Sequence, residues 1–426
     1  MRHLAVFLVM LALAGPAAAQ QNGGGNDDGD NGGGGRPLGF PMLPGAYGDG
    51  GGEGATTGEG RPDFPLPRLK APLVNYRQQM RTIVDELAFY ASKRDPGFLI
   101  LADDGLGLVT RTEGEAMLMQ LKKRQMGVKW PVKPETGRVQ WPYVRNLDGL
   151  MLARLFCGRP AFNKRTPQDD RKWRLALLDR VGDYLTRNLT VERCDKPPLV
   201  DDAYAMADER GLLPYVATRE GALDFLPDYP ESPVGVNPAP VRNLDQAENL
   251  LVHLDSNPYP SKREWIRALA DTDYDVLVLD GFFHGVDALT EEEIDRLQTK
   301  KMGARRLVFL RISVGYAKRY RYYFKNKWKP GNPSWLLNPV PDRPETHGVA
   351  FWQTGWKKIV GKFFKGAIDL GYDGVLLDDL DAWRPFQKEA IRIARKAIEK
   401  AKKKAAGKKP EKDEGQPMKI RPFTIP

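Results

Sequence analysis

Three carboxylates, Asp378, Asp379 and Asp381, follow directly on a short apolar run, Gly374 to Leu377, and an indole, Trp383, closes the group. A carboxyl group that keeps its proton can act as a general acid, and one that loses it can act as base or nucleophile. Cleavage of a glycosidic bond needs one of each. Aromatic rings beside them offer faces on which the C–H surfaces of sugars stack. An apolar strand that ends in acids is also the place where a (β/α)8 barrel carries its chemistry, at the C-terminal ends of its strands.

The same grammar recurs upstream. Tyr274–Leu279 ends in Asp280, Phe98–Ala102 ends in Asp103 and Asp104, and Pro198–Val200 ends in Asp201 and Asp202. Aromatic residues at or near those ends are Phe282, Phe283, Tyr316, Tyr320, Trp352 and Trp383. Each has a plain structural alternative. A strand-end Asp is often the N-cap of the next helix, and most Trp and Tyr are packing residues with one polar handle. Trp356 reads as core. Asp280 and Asp378 favour the functional reading because each directly terminates an apolar strand.

Positioning these groups requires eight strands alternating with helices. The strands read from the sequence are 98–102, 147–152, 198–200, 212–217, 274–279, 306–313, 348–351 and 374–377. Helical spacing of apolar residues marks 76–92, with Met80, Ile83, Val84, Leu87, Ala88 and Ala91 on one face. It also marks 167–188, 203–210, 261–269, 355–370 and 385–404. Thr290 followed by Glu291, Glu292 and Glu293 is a helix start with its cap and acids in place. The fold class expected is α/β, a single (β/α)8 TIM barrel. Two doubly wound domains joined through the Pro-rich stretch Pro227–Pro240 are the alternative.

The expected domain boundaries are 1–19 signal peptide, 20–68 linker, 69–400 barrel and 401–426 basic tail. Arg2 and His3, the apolar Leu4–Ala14 and the small residues Ala17–Ala19 form a secretory signal too short to span a bilayer. The expectation is therefore a secreted or periplasmic protein without a transmembrane segment. Residues 20–66 are rich in Gly, Asp, Asn and Pro, a composition that buries too little apolar area to offset chain entropy. The formal net charge is +10, and residues 396–426 supply much of it with ten Lys or Arg against four acids. Such a run is usually a solvated helix end. Electrostatic contact of that tail with an anionic envelope polymer is a weaker reading, and nucleic acid is not expected. The chain has two cysteines, Cys157 and Cys194, which allow one disulfide in an oxidising compartment. Four scattered His and no CxxC or HExxH pattern give no support to a metal site or a cofactor.

Four stretches then occur in order: Val278–Asp280, Arg311–Arg321 (RISVGYAKRYR), Val349–Trp352 and Gly371–Asp378 (GYDGVLLD). They resemble the TIM-barrel glycoside hydrolase family typified by endo-α-1,4-polygalactosaminidase and its extracellular relatives. The family's second motif has the form S-x-G-E-A-x-x-Y-R and its last the form G-[FY]-D-G-V-x-L-D. Residues 245–385 carry the likeness best. Tyr90 to Gly105 resembles the segment that the family places after its last motif, so the halves stand in reversed order and a circularly permuted barrel is expected.

The resemblance implies a polysaccharide substrate, an amino-sugar polymer containing galactosamine. From the strand-end acids themselves, Asp378 is expected as nucleophile or base, and Asp280 or, with a raised pKa, one of Asp103 and Asp104 as the acid. Tyr316, Tyr320, Arg321, Trp352, Asp379, Asp381 and Trp383 would hold the sugar. Two family glutamates are replaced here, by Tyr316 and near Ala153. A carbohydrate-binding or envelope-associated protein on a hydrolase scaffold is therefore the competing expectation.

Overall fold

The computed structural model describes residues 66–68, 73–221, 223–341 and 343–407. The expected signal segment 1–19, most of the expected linker 20–68 and the chain beyond 407 lie outside them. Eight parallel strands form one sheet: β1 Leu99–Asp103, β2 Gly149–Ala153, β3 Leu189–Arg193, β4 Leu213–Ala217, β5 Leu250–His253, β6 Val276–Leu279, β7 Leu307–Ser313 and β8 Gly374–Asp378. Their spatial order is β4-β3-β2-β1-β8-β7-β6-β5, so the ring closes where the first strand pairs with the last. The remaining seam lies between β4 and β5, which are neighbours without a hydrogen-bonded ladder among the described residues. This is a nearly closed α/β barrel of the TIM type.

The barrel helices form where their apolar stripes demand it. In α1, Tyr76–Arg94, Asn75 caps the N-terminus by accepting from the Gln78 amide, and Met80, Ile83, Val84, Leu87 and Ala91 are buried. In α7, Glu291–Leu297, Thr290 and Glu293 form a reciprocal capping box. Seven further helices lie in the described chain: α2 Glu113–Gln125, α3 Trp141–Arg145, α4 Gln168–Asp179, α5 Pro197–Asp208, α6 Lys262–Ala270, α8 Thr354–Asp369 and α9 Arg384–Ala406.

A repeated device sets the register at the N-terminal ends of the strands. An Asx side chain just before one strand accepts an amide of its neighbour. Asp148 takes Ile100, Asn188 takes Leu150, Asn249 takes Asp275, and Asp373 takes Val308, at 2.7–3.0 Å. The Asp of the Tyr372-Asp373-Gly374 motif is therefore a register pin, far along its strand from the acids.

Two expected strands are corrected. Pro198–Val200 is the first turn of α5, because Pro197 and Pro198 occupy the N1 and N2 positions where a missing amide is harmless. The third strand is Leu189–Arg193 instead, and Asp201 and Asp202 consequently ride on a helix. The expected strand 348–351 is not in the barrel. Val349 ends a strand, Arg343–Val349, of an antiparallel three-stranded insertion with Tyr316–Lys318 and Leu336–Val340. Leu250–His253, four buried residues not read as a strand, is the eighth member.

Cys157 and Cys194 form a disulfide that staples the chain beyond β2 to the chain beyond β3, across 37 residues. Replacing both with serine should lower unfolding free energy by about 4 kcal/mol through the wider unfolded ensemble. Urea unfolding monitored under oxidising conditions will measure it.

Candidate active site

The parallel register carries four charged side chains to one end of the sheet. Ala102 pairs with Leu377, so Asp103 and Asp378 stand level one step further along. On β7, Arg311 is level with Leu376 and Ser313 with Asp378. Leu279 pairs with Leu310, which puts Asp280 level with Arg311. Because side chains alternate faces along a strand, Asp103, Asp378, Arg311, Ser313 and Asp280 share one face at the C-terminal end.

Arg311 is the centre of this group. Its Nε donates to Asp378 Oδ2 at 2.5 Å, and a terminal guanidinium nitrogen contacts the same oxygen. Burial opposes its charge, but Asp378, then Asp379, Asp280 and Asp103, outweigh that and hold the guanidinium firmly protonated. For Asp378 burial likewise favours the neutral form. Arg311, the Asp379 amide at 2.5 Å and Lys318 overcome it, so its carboxyl is held below the usual range and is ionised.

Asp103 goes the other way. Burial first, then the negative charge of Asp378, push its carboxyl well above the usual range, and it hydrogen-bonds Asp378. The two carboxyls of the pair are thus pushed in opposite directions, the kind of separation that acid–base catalysis uses.

Asp379 extends the pair. Its backbone is left-handed, at φ +61°, which turns its side chain back to the Ser313 hydroxyl. Burial and the neighbouring Asp378 push its carboxyl up to about 6. On the other side, Arg321 grips both oxygens of Asp280 at 2.5 Å and donates to the Gly285 carbonyl at 3.0 Å. The guanidinium lies over the ring of Phe282, at 4.4 Å, and over that of Tyr320, at 5.2 Å. Asp280, Arg311, Ser313, Lys318, Arg321, Tyr323 and Phe363 line one small pocket.

The structure thus brings together Asp103, Asp280, Asp378, Asp379, Arg321 and Tyr320 of the expected residues. Tyr316 is half-buried beside Asp381 and Asp379, with Arg343 over its ring at 5.4 Å. Asp381 stays at the rim, largely exposed, and pairs with Arg384.

Other expected residues are engaged elsewhere. Asp104 sits at φ +44° and turns to Arg174 at 3.2 Å and Arg159 at 3.9 Å. Trp383 is buried, packed on Gly107 and under Arg77. Trp352 belongs to a ring cluster with Tyr76, Phe351 and Phe386. Phe283 stacks on His284 at 3.8 Å. Asp202 pairs with Arg165, and Asp201 accepts from Tyr229.

Sequence reasoning missed Ser313, Lys318 and the central role of Arg311. One signal was present: an arginine within the otherwise apolar strand Leu307–Ser313 has to find a charge partner inside the barrel. Among the described residues no group of His, Cys, Asp and Glu is arranged to hold a metal ion, and no helix is long and apolar enough to cross a membrane.

Residues 261–408 match the model of glycoside-hydrolase family GH114, the family to which the sequence motifs pointed.

Three curated relatives, each named only as an uncharacterized protein, match parts of the chain. One from Methanocaldococcus jannaschii is 32% identical over 149 residues, 33% of this chain and 42% of its own length. One from Deinococcus radiodurans is 41% identical over 73 residues, 17% of this chain and 24% of its length. A third, from Thermotoga maritima, is 33% identical over 89 residues, covering 21% and 28%. The chain thus spans less than half the length of each.

The raised carboxyl of Asp379 has a measurable consequence. An acid whose folded value, about 6, lies above its unfolded value of 3.8 stays protonated in the fold after the unfolded chain has ionised. Stability is therefore lost as pH rises from about 4 to 6 and stays lost above. Asp379→Asn should flatten that part of the curve and melt higher than the parent at pH 7, as thermal unfolding across pH 4–8 will record.

Proposed function

We propose that this protein hydrolyses glycosidic bonds of a polysaccharide, with Asp103 as proton donor and Asp378 as nucleophile or base. The observation that carries this reading is the side-by-side Asp103–Asp378 pair, with Arg311 on Asp378, on adjacent strands of a barrel whose residues 261–408 match a glycoside hydrolase family. Burial and the charge of Asp378 raise the Asp103 carboxyl, while Arg311 outweighs burial and lowers that of Asp378. The proton that Asp103 now gives to Asp378 passes to the glycosidic oxygen of the leaving group. Asp378, freed of that hydrogen bond and oriented by Arg311, attacks the anomeric carbon or deprotonates a water that does. A retaining pair stands roughly 5 Å apart, so two hydrogen-bonded carboxyls would have to separate for this step.

Asp280 is held through both carboxyl oxygens by Arg321, a geometry that suits positioning. Asp104 faces a different set of arginines. Tyr320, exposed at the rim, offers the stacking face. Trp352 and Trp383 are given no substrate role in this reading.

The substrate class proposed is an amino-sugar polymer, on the strength of the family resemblance. Export is proposed from the composition of residues 1–19. A permuted chain order is proposed because the seam between β4 and β5, bridged by the Pro-rich 227–240, is where the ends of an unpermuted barrel would fall. One observation favours a second reading, a sugar-binding protein without turnover: Tyr316 and Ala153 stand where the resemblance places glutamates.

Incubation with galactosamine-containing and other amino-sugar polymers, read as new reducing ends, separates the two. The parent should cleave. Asp103→Asn and Asp378→Asn should each lose on the order of 10²–10⁴ in rate, while Asp104→Asn stays within a few-fold. Binding without cleavage would leave the second reading, and equal loss in Asp104→Asn would move the acid.

A further inference from the structure

The loop after α2 carries a feature that the active site does not use. Between Leu121 and Pro134 the chain holds Lys122, Lys123, Arg124, Lys129 and Lys133 and no acid. In the same stretch Met126 is 75% exposed, Val128 43%, Trp130 42% and Val132 61%.

These apolar side chains are not displayed by a slack segment. Helix α2 ends in a turn at Gly127, φ +92°, with the Val128 amide on the Lys123 carbonyl at 3.1 Å. Pro131 is buried, and its carbonyl accepts from Gln120 at 2.9 Å. Lys133 pairs with Glu113 at 2.8 Å, and Arg111 donates to the Glu135 carbonyl at 3.2 Å. The fold pins the loop at Pro131 and Lys133 and holds Val128 and Val132 outward on either side.

We propose that residues 122–132 form a docking surface for a bilayer carrying anionic headgroups. Apolar side chains at the tip enter the headgroup and acyl boundary while the flanking cations meet the lipid phosphates, the pairing by which peripheral proteins hold membranes. A tryptophan among them suits the interfacial zone. Charge complementarity selects this occupant over an uncharged apolar groove on a protein: three of the cations, Lys122, Lys123 and Lys129, are exposed without an acid in the segment to neutralise them.

The test uses the full chain. It is sedimented with vesicles of phosphatidylcholine and phosphatidylglycerol in equal parts, and with phosphatidylcholine alone, at low and raised salt. The account expects binding to the anionic vesicles, weakened by salt, with amide hydrogen exchange slowed across 126–132. Replacing Lys122, Lys123 and Lys129 with Gln should weaken partitioning about fivefold for each cation removed. Val128→Asp with Val132→Asp should lose it at least tenfold, and circular dichroism will verify that these exposed changes leave the fold intact. If either set were to leave vesicle binding unchanged, the attraction would belong to the Lys-rich C-terminal end and the proposal would be overturned. Absence of binding to anionic vesicles, or self-association through this loop seen by light scattering in its place, would also overturn it.

Discussion

The pairing of β1 with β8 is the constraint on which the rest depends. It joins residues nearly the length of the barrel apart in sequence and closes the ring in parallel register. That register sets Asp103 and Asp378 side by side. It also brings β7 against β8, so that Arg311 reaches Asp378 from the other side. Were β1 shifted by one residue, Asp103 would face the helices and the pair would not exist. Asx side chains at four strand starts fix the register of β1 with β2, β2 with β3, β5 with β6 and β7 with β8.

Charge bookkeeping at the mouth explains the split ionisation. Two carboxylates in contact repel by about 4 kcal/mol at the effective dielectric of a site near a protein surface, and burial adds to the penalty of charging both. Arg311 attracts by a similar amount but is bound directly to only one of them. Asp378, held by Arg311 and by the Asp379 amide, wins the negative charge, and Asp103 keeps the proton. Asp280 and Arg321 form a second, self-contained pair walled by Phe282 and Tyr320. Lys318, buried beside Asp379, offsets the third acid. The site is thus nearly neutral yet strongly polarised.

Much of this was readable from the residues. An apolar run ending in acid identified β1, β6 and β8 together with Asp103, Asp280 and Asp378, and the total of eight strands was right. Two members were not, for local reasons. In β3, Thr190 and Glu192 interrupt the apolar pattern, and the Glu192 carboxylate is explained only in three dimensions, by the amides of Leu155, Phe156 and Cys157. In β5 four residues are too few to show a period. Val349 and its neighbours read as a strand and form one, but which sheet a strand joins is a question of partners. Trp352 and Trp383 followed the commoner rule that large rings pack. Which acid keeps a proton was beyond the sequence altogether, since it turns on burial and on where one arginine points.

The most direct test of the account is the protonation of the pair itself. Carboxyl ¹³C NMR of aspartate-labelled protein, titrated from acid through neutral pH, should show one aspartic acid titrating well above the usual carboxylate range. That signal should vanish in Asp103→Asn, while Asp378 stays ionised to well below the usual carboxylate range. If both carboxyls instead titrated at ordinary values, the shared proton would not exist and the assignment of acid and nucleophile would fall with it.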